Sequence, residues 1–179
     1  MTKSRNGFTL VELLVTVAIA GLIGSLAIGA GRGPLDRLEL DAAARRLQLG
    51  LERARLWARR QQQACGISLT AEAWLPAESQ ALSAALTACG GAALALQEQW
   101  SSGPIRLHTN LPAVVRVAAN GLLLDGGTTV LSHTRLPQAR CLVVSLPLGV
   151  SRLGDYQGDL PSGVSSPRSD RCLPTSAER

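Results

Sequence analysis

The chain has 179 residues, of which 46% are hydrophobic and 17% charged, and it carries a formal net charge of +5. This apolar content excludes an intrinsically disordered chain, and the length suits one domain with appendages. The positive excess, nearly all arginine, permits acidic partners such as nucleic acid or lipid headgroups, yet it is equally an ordinary solubility charge for a small protein.

The chain opens on Met1-Thr2-Lys3-Ser4-Arg5-Asn6-Gly7, a polar leader with two cations and no acid. An apolar run of about 23 residues follows, from Phe8 to Ala30, long enough to span a bilayer as a helix. Its only charge is Glu12. Lys3 and Arg5 precede the run, so this end is expected in the cytoplasm and everything after Arg32 outside it. Three kinds of segment fit. One is a secretory signal peptide cut near Ala30, where Ala27 and Gly29 supply small residues. Another is a plain membrane anchor, and the third is an anchor that packs against others of its kind. Glu12 separates them. An ionised carboxylate in the first turns of a membrane helix costs about 2.5–3.5 kcal/mol, which neither a signal peptide nor a simple anchor recovers. In a bundle of helices the same carboxylate can meet a cationic partner that offsets this cost.

The block Gly7-Phe8-Thr9-Leu10-Val11-Glu12-Leu13-Leu14-Val15 closely resembles the processing site of type IV pilins and type II secretion pseudopilins. The resemblance implies that a prepilin peptidase cuts after Gly7, that the new amino-terminal Phe8 is N-methylated, and that Glu12 serves assembly. It implies a cleaved leader over 1–7, a transmembrane and assembly helix over 8–30 and a pilin-like head over 31–154, and composition makes 155–179 a flexible tail.

Gly29, Gly31, Gly33 and Pro34 interrupt the apolar helix, and proline in a first turn lets a new helix begin at Pro34. Leu35 to about Gln63 is rich in Leu, Ala, Arg and Gln, a helical composition. Leu40, Ala44, Leu47, Leu51, Ala54 and Ala58 fall at spacings of three and four and form one apolar stripe, fit to pack on a sheet. Arg46, Arg53 and Arg60 line another face. Beside Glu52 they read as a solvated basic face rather than a nucleic-acid track.

Ala64–Thr70 and Ala73–Leu75 read as a short strand pair, and residues 76–99 as an inserted loop with at most a helical turn. Ile105–Thr109 and Val114–Ala119 read as strands. Asn120-Gly121 then predicts a type I′ hairpin turn, with Leu122–Asp125 as the return strand. Thr128–His133 and Cys141–Leu146 complete the strand set, giving an α+β fold with a long helix packed on an antiparallel sheet. The tail from Asp155 is dense in Pro, Ser, Gly and charge, and is expected to be mobile unless Cys172 ties it down.

The four cysteines, Cys65, Cys89, Cys141 and Cys172, form no C-x-x-C pair, and His108 and His133 stand far from them, so no metal site is expected. An even count on a chain that leaves the cytoplasm suggests disulfides, with three connectivities open. Cys65–Cys89 with Cys141–Cys172 is the pairing expected, and four buried free thiols are the competing state. No G-x-S-x-G elbow occurs, and neither histidine has a catalytic motif around it. Gly29-Ala30-Gly31-Arg32-Gly33 lacks the preceding strand and the Lys-Ser/Thr of a phosphate loop. No enzyme and no cofactor are expected.

The remainder resembles the H-type pseudopilins and FimT-like minor pilins. The resemblance rests on the helix with Ala54-Arg55 and Arg59-Arg60 running into Gly66-Ile67-Ser68-Leu69, on Ala119-Asn120-Gly121, and on Cys141-Leu142-Val143-Val144-Ser145 leading to Gly149. It spans residues 7–154 with gaps. It implies a non-catalytic subunit, held in the inner membrane with its head in the periplasm until it joins a filament of other pilins. That filament serves either protein secretion or a pilus. Some FimT-like members bind DNA through a Gly-Arg-x-Arg motif. The matching positions here read Gly149-Val150-Ser151-Arg152, keeping Arg152 and losing the first arginine to Val150. Phosphate contact by Arg152 would give affinity without sequence choice.

Overall fold

The computed structural model describes residues 9–30, 32–78, 86–97, 103–158 and 166–174, with the backbone alone for 24–30 and 32. Two compact units divide the chain, residues 1–35 and 36–179. In the first, α1 runs over Leu10–Ala30. Among the described residues no helix is long and apolar enough to cross a membrane, and Phe8 with the side chains of 24–30 lies outside them.

The second unit is built on α2, Arg32–Gln61. The helix begins two residues ahead of Pro34 and closes at Gln62, whose φ of 51° is left-handed. The whole apolar stripe is buried, from Leu40 through Ala44, Leu47, Leu51 and Ala54 to Ala58, and Ala43 joins it. Each fully buried leucine contributes about 1.5–3 kcal/mol by leaving water.

Two sheets pack on the stripe. In the first, β1 (Cys65–Leu69) pairs antiparallel with β2 (Ala73–Pro76) and, on its other edge, with β6 (Val115–Val117). Residues 76–99, expected as a loop, instead carry two short strands. β3 (Thr87–Ala88) lies parallel to β1, and β4 (Leu94–Ala95) lies antiparallel to β2. A tight turn reverses the chain between them, with Gly91 at φ 75° and Ala92 N–H donating to Cys89 O at 3.3 Å. No helical turn occurs among the described residues of this segment.

The second sheet has the order β10-β9-β8-β7-β5 and is antiparallel throughout. Its strands are β5 (Ile105–Thr109), β7 (Gly127–His133), β8 (Ala139–Ser145), β9 (Val150–Tyr156) and β10 (Cys172–Leu173). Side chains alternate across it. Leu131, Leu142 and Val144 join the core around α2, whereas Val130, Cys141 and Val143 form a second cluster on the far face with Cys172 and Tyr156.

Two expectations are corrected here. The hairpin after β6 is not type I′, because Gly121 takes positive φ (82°) and Asn120 does not. Gly121 N–H donates to Ala118 O and Ala118 N–H to Leu122 O, closing a three-residue loop of the glycine-bulge kind. The return segment 122–125 makes a single bridge, Val117 with Leu123, rather than a strand. β9 continues through Asp155 and Tyr156, and β10 pairs with it, while 159–165 and 175–179 lie outside the described residues.

Candidate functional site

Gly7 and Phe8 lie outside the described residues. Immediately after them Thr9 caps α1: its Oγ1 accepts the Glu12 N–H at 3.3 Å, and its carbonyl accepts the Leu13 N–H at 3.1 Å. A threonine followed three residues later by glutamate is the capping-box pattern, which fixes where a helix starts. Glu12 sits in the first turn, exposed, where a carboxylate also favours the positive end of the helix dipole.

Arg152 lies on β9 opposite Val143, in a groove of about 470 Å³ lined also by Asn110, Thr128, Ser145, Arg168 and Asp170. Asn110 braces the groove. Its Oδ1 accepts the Thr128 N–H at 2.6 Å and its Nδ2 donates to Pro167 O at 3.0 Å. The two cations are not equally available. Arg168 forms a two-pronged pair with Asp170, at 3.1 and 2.9 Å, whose hydrogen bond holds the Asp170 carboxyl below the usual carboxylate range. Arg152 makes one long contact, 3.5 Å, to Ser169 O. Val150, two residues before Arg152 on β9, is exposed and apolar.

On α2, Arg53 and Arg60 are exposed and line a shallow pocket with Leu56, Trp57, Gly90 and Gly91. Glu52 pairs with Arg55 at 3.1 Å, and the Arg55 guanidinium also donates to Gly149 O, tying the helix to the β8–β9 turn.

The cysteines form two disulfides, Cys65–Cys89 and Cys141–Cys172, with Cα separations of 5.0 and 5.8 Å. The first ties β1 to the end of β3. The second pins β10 to β8 and so draws residues 166–174 over the far face of the second sheet.

One cluster escapes any reading of the sequence. Asp36 and Glu39 stand one turn apart on α2, and the last residue of β7, His133, faces both. His133 is fully buried, with Nε2 3.8 Å from Asp36 Oδ1 and 3.7 Å from Glu39 Oε2, too far for hydrogen bonds. That nitrogen has no hydrogen-bond partner, a state that costs about 1–3 kcal/mol for a buried polar atom. Arg135 grips Asp36 from outside, with Nη2–Oδ1 2.6 Å and Nε–Oδ2 2.9 Å. These hydrogen bonds, then the Asp36 charge, push the guanidinium further towards its charged form. A parallel clamp forms where Arg140 bonds Asp41 at 2.7 Å and also reaches Asp155. The only advance signal was a histidine at the end of an apolar strand, since its partners lie some ninety residues upstream.

Residues 43–148 match a family described as type II transport protein GspH, and residues 2–28 match the prokaryotic N-terminal methylation motif. The first match takes in most of α2 and every strand through β8, but not Arg152, Arg168 or β10. No curated protein and no solved structure matches the chain.

Proposed function

This chain belongs to the type II transport protein GspH family, and from that premise we propose that it is a minor pseudopilin of a type II secretion system. The observation that carries the reading is the order of the two matches, a methylation motif over 2–28 ahead of the family head over 43–148. A processed, assembling amino terminus and a folded head are the two parts that a filament subunit needs.

On this reading the peptidase cuts after Gly7 on the cytoplasmic side of the inner membrane, and the segment 8–30 stays in the bilayer until assembly. Glu12 then meets the amine of a neighbouring Phe8. Both charges leave water together, so a misregistered pair leaves an unpaired buried charge, a penalty of several kcal/mol that enforces one stagger. The head works mechanically, without catalysis. The mass of the mature chain from its host is expected to correspond to a start at methylated Phe8. A start at Met1, or one near Gly31, would remove the basis of the proposal.

The alternative is a minor pilin that takes up DNA, and the placing of Arg152 and Arg168 in one groove favours it. It ranks second because Asp170 neutralises Arg168 and Val150 replaces the motif's first arginine. Deleting the gene separates the two. Secreted proteins are expected to accumulate inside the cell while transformation frequency is unchanged. The DNA affinity of the full chain in detergent, followed across a salt series, is expected to be insensitive to Arg152→Ala. Should transformation fall instead, with Arg152→Ala lowering the salt slope by about one, the pilus reading replaces this one.

A further inference from the structure

We infer that Asp36, Glu39 and His133 form a binding site for a transition-metal dication, Zn²⁺ foremost. Their three ligand atoms lie within 4.8 Å of one another. The 3.7 and 3.8 Å gaps from His133 Nε2 to the carboxylate oxygens exceed any hydrogen bond. They are close to the spacing of two ligands on one tetrahedral zinc, about 3.4 Å for Zn–N and Zn–O bonds of about 2.0–2.2 Å. The two gaps to His133 need to close by only a few tenths of an ångström, and the two carboxylate oxygens, within 4.8 Å of each other, by up to about 1.4 Å, to bring all three onto one ion.

Burial and charge agree with this geometry. His133 is wholly enclosed, yet Nε2 has no partner and is aimed between two carboxylates. Two carboxylates flank the ring nitrogen, a donor set that favours a cation. Glu39 is 41% exposed, so the ion has a route in and a face on which water completes its coordination. The imidazole selects a borderline metal over Ca²⁺ or Mg²⁺, which take oxygen ligands. Arg135 is a positioning residue, fixing the Asp36 carboxylate with two hydrogen bonds. Metal at Nε2 requires the ring proton on Nδ1, so the 3.2 Å contact from the Arg135 N–H to Nδ1 must yield. Without metal, Nε2 keeps the proton and that contact remains. The site ties the first turns of the head helix to the end of β7, a structural role.

The test uses the full chain in detergent micelles, stripped with EDTA and titrated with zinc chloride by calorimetry, with Co²⁺ absorption as a second readout. One Zn²⁺ per chain is expected, with a higher thermal midpoint on binding. His133→Gln is expected to abolish uptake. Glu39→Gln, at a half-exposed position where folding is not at issue, is expected to weaken it by more than about tenfold, the loss that even outer partners of a metal can cause. Ca²⁺ is expected not to compete. Absence of Zn²⁺ uptake by the folded chain, uptake that Glu39→Gln leaves unchanged, or displacement by Ca²⁺ would each overturn the assignment.

Discussion

Gly50→Ala is expected to destabilise the head by about 3 kcal/mol, the upper end for overpacking a core, although alanine is the better helix former by about 1 kcal/mol. Gly50 lies inside α2 on the face that receives Trp74. A Cβ there would stand 2.6 Å from the indole Cγ and closer still to Cδ1. The ring cannot swing aside cheaply. Trp74 is fully buried, and its Nε1–H donates to Leu47 O at 2.8 Å, so the indole lies across the helix backbone where only glycine leaves room. Urea unfolding of the two chains, followed by circular dichroism, measures the difference. A double-mutant cycle isolates its cause. In a Trp74→Leu background the clash is gone and only helix propensity remains, so Gly50→Ala should change sign and stabilise by up to about 1 kcal/mol. Destabilisation of equal size in both backgrounds would show that the indole is not the obstacle.

Replacing Cys141 and Cys172 together with serine is expected to cost about 3.5 kcal/mol, from the loop entropy released when a crosslink spanning 31 residues is removed. The damage should be local first. β10 is two residues long, and beyond the bond residues 166–174 are held by its pairing with β9 and by scattered hydrogen bonds: Asn110 Nδ2–H to Pro167 O, Gln157 N–H to Arg171 O, Arg168 N–H to Tyr156 Oη, and the long Arg152 contact to Ser169 O. Their release uncovers Val130, Val143 and Tyr156 on the far face of the second sheet. Limited proteolysis should therefore cut the carboxy-terminal segment well before the urea midpoint, and the intact disulfide should protect it. Equal cleavage of the two chains would mean that the segment is held by something else.

The parts of this fold that were legible in the sequence are those written as long periodic patterns. The stripe from Leu40 to Ala58 repeats over five helical turns, and every member is buried. β5, β7 and β8 are five to seven residues long, enough for composition and flanking turns to mark them. β3 and β4 are two residues each and carry no period at all. They exist because Cys89 is bonded to Cys65 and Gly91 turns the chain back. The hairpin at Asn120-Gly121 was visible, but its type was not, since one glycine in the left-handed region serves either a two-residue turn or a bulged loop. Gly50 reads in isolation as a weak point in a helix, and its reason sits twenty-four positions away in Trp74. At the candidate site, Glu12 could be found by its cost in a membrane. The Asp36–Glu39–His133 cluster could not, because no local pattern connects the start of a helix to the end of a strand some ninety residues later.

The clamps at Asp36–Arg135 and Asp41–Arg140 each join residues 99 positions apart, and both bind the opening turns of α2 to the far sheet. Such contacts reward the chain only after a long loop has closed, and each doubling of that loop adds about 0.6 kcal/mol of entropy to overcome. Topology of this kind slows folding. β1 and β2 can pair across a short turn, and β7 with β8 likewise, but α2 has no sheet to fasten onto at these two points until residues 135–140 have emerged and joined the sheet. The helix is the first segment of the head to be synthesised, yet at these two points it is fastened only by residues 99 positions later in the chain. Through that interval its buried stripe of leucine and alanine stays open to any partner that binds an unpaired apolar helix.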